Sequence, residues 1–173
     1  GRLPSQYHFS LVHFHKNHSV QDIMHAIKYQ NGTAIAHQLG KLLGDQIQLI
    51  NHDIDAIIPL PLHPKKLQER GYNQSLIIAE GISEQTNIPI LNDFLIRTKH
   101  TQSQTKKSRL QRISNVSDAF EVNNTIQHQY KHYLIVDDVL TTGATIEAAA
   151  LTILEHDTDI RISIATLGLA NDH

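Results

Sequence analysis

The sequence predicts an α/β fold with an open, mainly parallel twisted sheet flanked by helices. Short apolar runs rich in β-branched residues recur at 54–60, 133–136 and 161–167, and such runs are typical of strands buried in a parallel sheet. Between them lie segments whose apolar residues recur at helical spacing, the clearest of which is 144–155. Strands that alternate with helices in this way are typical of a sheet covered by helices.

The composition of the 173-residue chain fits one soluble domain, residues 1–173, with a hydrophobic core. Hydrophobic residues make up 40% and charged residues 18% of the sequence, which is ordinary for a globular protein. The formal net charge of -2 gives no overall attraction to polyanions. The sequence has no Cys, which excludes disulfides and thiolate sites within it. Because no run is long and apolar enough for a membrane span or a signal sequence, a cytoplasmic protein is expected.

The first elements are predicted to be a strand at 7–14 and helices at 19–29 and 33–43. Asn31-Gly32 supplies a stop signal between the helices. Lys28 could reach a phosphate, but a lone Lys near a helix end is more typical of a residue that complements the helix dipole. The apolar residues expected to turn the second helix toward the core are Ile35, Leu39, Leu42 and Leu43.

Three histidines cluster around the end of the first strand, at His13, His15 and His18. Alternate histidines on a strand can hold a metal ion, but no carboxylate or Cys nearby completes a ligand set. A structural or surface role is therefore expected for them.

A proline-rich and basic stretch follows the strand at 54–60. Its three prolines, in Pro59-Leu60-Pro61-Leu62-His63-Pro64, are expected to stiffen a loop. Asn73 or Ser75 can then cap a helix over the apolar residues of 76–82. The basic residues of the stretch are Lys65, Lys66 and Arg70. A strand, a rigid loop, bases and a helix start indicate an anion site, and the alternative is a solvated basic turn.

The segment 97–112 differs from the rest of the chain in being polar and basic, without apolar periodicity. It follows a short predicted strand at 94–96 and precedes another at 119–122. Such composition is typical of a mobile loop, and loops that exclude water during transfer reactions have this character.

The rest of the chain is organised around 133–146. An apolar strand runs into Asp137 and Asp138, and hydroxyl residues and Gly143 lead to a helix. The first N–H groups of a helix bind phosphate well, and Gly143 permits a positive φ or a close approach to a ligand. Carboxylates beside a phosphate cradle suit sugar hydroxyls or a hard cation such as Mg²⁺. The stretch therefore fits a ribose 5-phosphate, and the alternative is a capped helix with solvated acids.

This stretch resembles the phosphoribosyl diphosphate (PRPP) motif of the type I phosphoribosyltransferases. Two further regions resemble the ComF (GntX-like) competence-associated family of that class. The first is Pro59-Leu60-Pro61-Leu62-His63-Pro64 leading to Arg70-Gly71-Tyr72-Asn73-Gln74. The second matches that family's spacing at Arg97, Thr101, Gln104, Arg112, Asn115-Val116 and Ala119-Phe120. The resemblance covers most of the chain from about Asp22 onward, and it implies a type I phosphoribosyltransferase fold with a small hood and a flexible lid loop.

The resemblance also implies the roles of individual residues. The catalytic acids would be Asp137 and Asp138, which would also hold Mg²⁺ indirectly. Ribose 5-phosphate would be bound by Val139, Leu140, Thr141, Thr142, Gly143, Ala144 and Thr145. Diphosphate would be bound by Leu60, Pro61, Lys65, Lys66 and Arg70. The lid would contribute Arg97, Gln104, Arg109 and Arg112.

The expected function is that of a PRPP-binding phosphoribosyltransferase, which transfers ribose 5-phosphate to an unidentified acceptor with Mg²⁺ and releases diphosphate. Purine-salvage members of the superfamily commonly carry an Asp where this chain has Thr141, and Thr is a poor general base. The alternative is a non-catalytic PRPP- or nucleotide-binding or adaptor protein in competence and DNA uptake.

Expected partners are PRPP or ribose 5-phosphate, proteins of the DNA-uptake machinery and a second copy of the chain as a homodimer. Direct DNA binding is not expected, because the basic lid has few aromatic residues for stacking. Family members often begin with a Cys-rich zinc ribbon, which these 173 residues do not contain.

Overall fold

A computed structural model describes residues 5–14, 27–28, 32–50, 53–98, 119–125 and 129–170. The strands are β1 (Ser5–Phe14), β2 (Ala56–Pro59), β3 (Leu95–Arg97), β4 (Phe120–Val122), β5 (His132–Leu140) and β6 (Arg161–Ala170). The helices are α1 (Thr33–Gln48), α2 (Pro64–Arg70), α3 (Gln74–Thr86) and α4 (Ala144–His156).

The main sheet in the described residues has four strands in the order β1-β6-β5-β2, and each neighbouring pair is parallel. Strands β3 and β4 form a separate antiparallel pair. The predicted α/β class with a mainly parallel sheet flanked by helices is therefore confirmed. In these described ranges, no helix is both long and apolar enough to cross a membrane.

Apolar side chains pack on both faces of the central strand β5. Tyr133 and Ile135 belong to a cluster with α4 and the β3–β4 pair. Leu134 and Val136 belong to a second cluster with α1, α3 and Ile27. Burial on both faces explains the unbroken apolar run at the start of β5. The same packing fixes where Asp137 and Asp138 lie at the other end of the strand.

Helix α1 turns a different face inward than the sequence pattern predicts. Ile35 and Leu42 are 48% and 53% exposed, so their assignment to the core is wrong. The buried residues are Ala36, Gly40, Leu43, Gly44 and Ile47. A Cβ on Gly40 would lie 2.3 Å from the Ile78 carbonyl oxygen. Small residues therefore let α1 approach α3 closely, and a search for large apolar residues does not find such a face.

Three further differences from the sequence-based predictions concern where elements begin and end. Helix α1 continues to Gln48 instead of ending at residue 43. A short helix, α2, occupies part of the predicted loop, because Pro64 is tolerated in a first helical turn and the His63 side chain accepts a bond from the Lys65 N–H. Strand β5 runs past both acids to Leu140.

Several predictions fall outside the described residues and stay predictions. They concern the predicted helix at 19–29 apart from residues 27 and 28, the side chains of the three N-terminal histidines, and the lid beyond Thr98, including Gln104, Arg109 and Arg112.

Candidate functional site

The two acids lie near the carboxyl end of β5, where open α/β sheets bind ligands. Each acid is fixed by the backbone of the residue that follows it. The Asp138 N–H donates to Asp137 Oδ1 over 2.9 Å, and the Val139 N–H donates to Asp138 Oδ1 over 2.8 Å. Asp138 is only 5% exposed, whereas Asp137 is partly exposed. The acids therefore differ in how far a ligand can reach them.

Lys28 forms an ion pair with Asp138, with 2.7 Å between Lys28 Nζ and Asp138 Oδ2. The sequence-based interpretation of Lys28 as a residue that complements a helix dipole missed this contact. The two residues are far apart in the sequence, and no local pattern connects them. The ion pair adds a basic residue to the site.

Asp137 is supported by the start of α3 and lies within electrostatic range of Arg97. The Ser75 hydroxyl donates to Asp137 Oδ1 over 3.2 Å. Burial, with the charge of Asp138 second, raises the pKa of Asp137 to about 7. Burial lowers the pKa of Arg97, and the charge of Asp137 acts in the opposite direction. Asp137 therefore changes protonation near neutral pH more readily than an ordinary carboxyl group.

The turn from β5 into α4 has the geometry of an anion cradle. Gly143 has φ +77°, in the left-handed region, and it precedes the first helical residue. The Glu147 N–H donates to the Gly143 carbonyl oxygen over 2.8 Å. The N–H groups of Ala144, Thr145 and Ile146 come before this bond, so the helix itself does not use them. Thr141 is exposed, and Thr142 and Thr145 are partly exposed.

The predicted diphosphate loop lies beside the acids, because β2 is the neighbour of β5. The Leu60 N–H donates to the Val136 carbonyl oxygen over 2.9 Å, directly before Asp137. Asn73 ties this loop to α3: its Nδ2 donates to the Leu60 carbonyl oxygen over 3.0 Å, and its Oδ1 accepts the Ser75 N–H over 3.1 Å. Asn73 or Ser75 is predicted as the cap of this helix, and the structure has Asn73 there. The bond from Asn73 to the loop is not predicted by the sequence.

The basic residues of this region lie on α2, which follows the loop. Lys65 is exposed, and Lys66 and Arg70 are partly exposed. The Arg70 guanidinium donates to Gln74 Oε1 over 3.0 Å, which directs it toward the start of α3. Of the predicted lid residues, Arg97 is described, and its guanidinium lies 5.3 Å from the centre of the Phe120 ring.

The donor groups at the site fit Mg²⁺, which prefers carboxylate, hydroxyl and phosphate oxygens. Within the described ranges, no group of three or more His, Cys, Asp or Glu side chains could hold a metal ion by itself. Mg²⁺ bound at this site would therefore need oxygen ligands from a phosphate-bearing molecule as well.

Several curated relatives match this chain, and three of them illustrate the similarity. Competence protein F of Haemophilus influenzae is 33% identical over 130 residues, which cover 72% of this chain and 57% of that protein. DNA utilization protein YhgH of Escherichia coli O157:H7 is 29% identical over 139 residues, 78% of this chain and 60% of its own. Competence protein ComFC of Bacillus subtilis is 28% identical over 111 residues, 64% of this chain and 43% of its own. The chain is a homologue of the ComF-type competence proteins. The predicted resemblance is thus confirmed.

The ComF homology covers only part of each relative. The chain spans about 57% and 60% of the length of competence protein F and YhgH. No protein-family model matches the sequence. Among solved structures, an allosteric regulatory enzyme of purine biosynthesis is similar, with a TM-score of 0.46 and 19% identity over 74% of this chain and 25% of that one.

Proposed function

We propose that this ComF homologue binds PRPP, or another ribose 5-phosphate, at the carboxyl end of β5 and acts as a phosphoribosyltransferase. The observation that carries the proposal is the junction of β5 and α4, where two acids precede a left-handed glycine and a helix start. This arrangement offers N–H donors to a phosphate and carboxylates to sugar hydroxyls within one turn of chain.

The residues of the site would divide the ligand between them. The N–H groups of 144–146 would bind the 5-phosphate, and Asp137 would face the ribose. The loop at Leu60 and the bases on α2 would bind the diphosphate. Bound Mg²⁺ would supply charge neutralisation to the departing diphosphate.

In the proposed transfer, the bond between ribose C1 and the diphosphate oxygen breaks, and a bond from C1 to the acceptor forms. The diphosphate leaves with the electron pair, and the acceptor loses a proton. The carboxylates would stabilise the positive charge that develops on the ribose ring, because they are fixed by backbone N–H groups before the reaction begins.

A second candidate is a binding or adaptor role without catalysis in DNA uptake. Two observations favour it: Thr141 stands where a base would act in purine-salvage enzymes, and relatives are named as competence and DNA utilization proteins. In this role the same site would bind PRPP or a nucleotide as a signal. Proteins of the DNA-uptake machinery, and a second copy of the chain, are the proposed partners.

Calorimetric titration with PRPP and Mg²⁺, followed by assays of diphosphate release with a panel of acceptors, tests both proposals. Binding with acceptor-dependent release of diphosphate is expected for the transferase. Binding without release from any acceptor would favour the binding role. The absence of binding by both PRPP and ribose 5-phosphate would contradict the site itself.

A further inference from the structure

Lys28 is anchored between the main sheet and the segment that carries the basic loop. The preceding Ile27 is fully buried in the core cluster on the α1 and α3 side of the sheet. The Ile27 carbonyl oxygen accepts a hydrogen bond from the Tyr72 hydroxyl, and Tyr72 lies between α2 and α3. The backbone at Lys28 is therefore held on one side of the site before any ligand binds.

The ammonium group of Lys28 compensates a carboxylate that water barely reaches. Asp138 is 5% exposed, and Oδ2 lies 2.7 Å from Lys28 Nζ. The other carboxylate oxygen accepts the Val139 N–H. The Lys28 side chain is 27% exposed, so its ammonium can be reached from solvent. A buried carboxylate is strongly unfavourable unless a positive charge accompanies it.

We propose that Lys28 is a positioning residue that acts as the built-in counter-cation of the acid pair. By neutralising Asp138, it allows an anionic sugar phosphate to bind next to two adjacent carboxylates without a divalent ion having bound first. Its effect on ligand binding rests on the proposed function, whereas its neutralisation of Asp138 does not.

The first test asks whether an external cation replaces the ammonium group. Thermal unfolding is measured for the parent, Lys28→Met and Lys28→Arg, without and with millimolar Mg²⁺. Lys41→Met is the matched control, because Lys41 is 28% exposed and lies 2.6 Å from Glu84 in another ion pair. In Lys28→Met, Mg²⁺ is expected to raise the midpoint by about 2–4 °C more than in the parent. Lys28→Arg and Lys41→Met are expected to respond as the parent does.

An equal response to Mg²⁺ in Lys28→Met and the parent would overturn the proposal. If Lys28→Met does not fold, the double variant Lys28→Met with Asp138→Asn tests whether the uncompensated charge of Asp138 is the cause, because it removes both charges. Recovery of folding in the double variant would support the neutralising role. Failure of the double variant as well would overturn it.

The second test measures the affinity for ribose 5-phosphate with EDTA and with Mg²⁺. In EDTA, Lys28→Met is expected to bind about tenfold more weakly than the parent and to recover when Mg²⁺ is added. A purely structural defect would weaken binding equally in both conditions, and that result would overturn the proposal. If the parent binds no ribose 5-phosphate, the proposed function fails, while thermal unfolding still decides the role of Lys28.

Discussion

Both ends of β5 carry polar residues with little exposure, but the two ends use them differently. At the amino end, His132 is fully buried, with Nδ1 2.8 Å from Asp53 Oδ1 and Nε2 2.8 Å from Ser163 Oγ. Asp55 Oδ2 accepts the backbone N–H groups of Lys131 and His132 over 2.8 and 2.9 Å. Each of these groups is matched by a partner within the protein.

The carboxyl end of β5 carries two adjacent carboxylates, and partners within the described residues satisfy them only in part. Asp138 is paired with Lys28, whereas Asp137 is held through one oxygen by Ser75 and a backbone N–H. No hydrogen bond from a described residue reaches Asp137 Oδ2. The N–H groups at the start of α4 follow this end of β5 after a short turn. The comparison teaches that buried polar residues stabilise the fold where the protein satisfies them and can serve a ligand where it does not.

The largest expected effect is a loss of ligand affinity when the acids at the carboxyl end of β5 are replaced, with no such loss at the amino end. Asp137→Asn combined with Asp138→Asn should weaken binding of ribose 5-phosphate with Mg²⁺ by about a hundredfold, because both ionised acids are lost. His132→Leu is the control and should leave this affinity unchanged. Calorimetry on the three proteins checks the prediction. Equal affinity in the parent and the double variant would place the ligand elsewhere.

The second effect concerns stability at the amino end. His132→Leu should lower the free energy of unfolding by about 2 kcal/mol, because it leaves buried Ser163 without its imidazole partner. The double acid variant should not lose stability in this way, because an Asn oxygen at each position can still accept the backbone N–H bond. Urea titrations test this, and a stable His132→Leu variant would show that the network contributes little.

Substitution of the two glycines with positive φ separates an effect on the backbone from an effect on ligand binding at the turn into α4. Gly143 and Gly71 have φ +77° and +80°, so alanine at either position should lower stability by about 1 kcal/mol. Only Gly143→Ala should also weaken binding of ribose 5-phosphate, because it alone alters the proposed phosphate cradle. Chemical denaturation and calorimetry on both variants provide the measurements. Matching losses of affinity in the two variants would contradict a specific role for Gly143.

The smallest expected effect is a pH dependence that Asp137 introduces. Its pKa is raised to about 7 from the ordinary value of 3.8, so the folded protein retains a proton that the unfolded chain has lost. Stability should therefore fall as the pH rises between those two values. Asp137→Asn should abolish this fall in the free energy of unfolding, which is on the order of 1 kcal/mol when partial solvent screening is allowed for. Urea midpoints of both proteins across this window test the sign. A steeper fall in the variant would contradict it.

The sequence is informative where structure and function lie in one continuous stretch. The apolar start of β5, the two acids and Gly143 follow one another, so their order predicts a strand, a turn with positive φ and a helix start. The structure has these elements in the predicted order, although β5 extends past the acids to Leu140. Asn73 as a helix cap was also accessible from local pattern.

Features that depend on distant partners were not accessible in this way. The contacts of Asp138 with Lys28 and of His132 with Ser163 join residues that only the folded sheet brings together. The inward face of α1 was mispredicted because Gly40 and Gly44 carry no apolar side chain to count. These glycines allow α3 to approach closely, and the sequence of α1 alone does not show that α3 packs there.

The most direct test of the central claim is amide exchange along β5 and α4 as ribose 5-phosphate and Mg²⁺ are added. If the phosphate binds at this turn, exchange should slow at the N–H groups of Ala144, Thr145 and Ile146, which precede the first bond within α4. Exchange should not change at Lys131 and His132, whose N–H groups already donate to Asp55. Unchanged exchange at the start of α4 under saturating ligand would contradict the assignment of the phosphate to this turn.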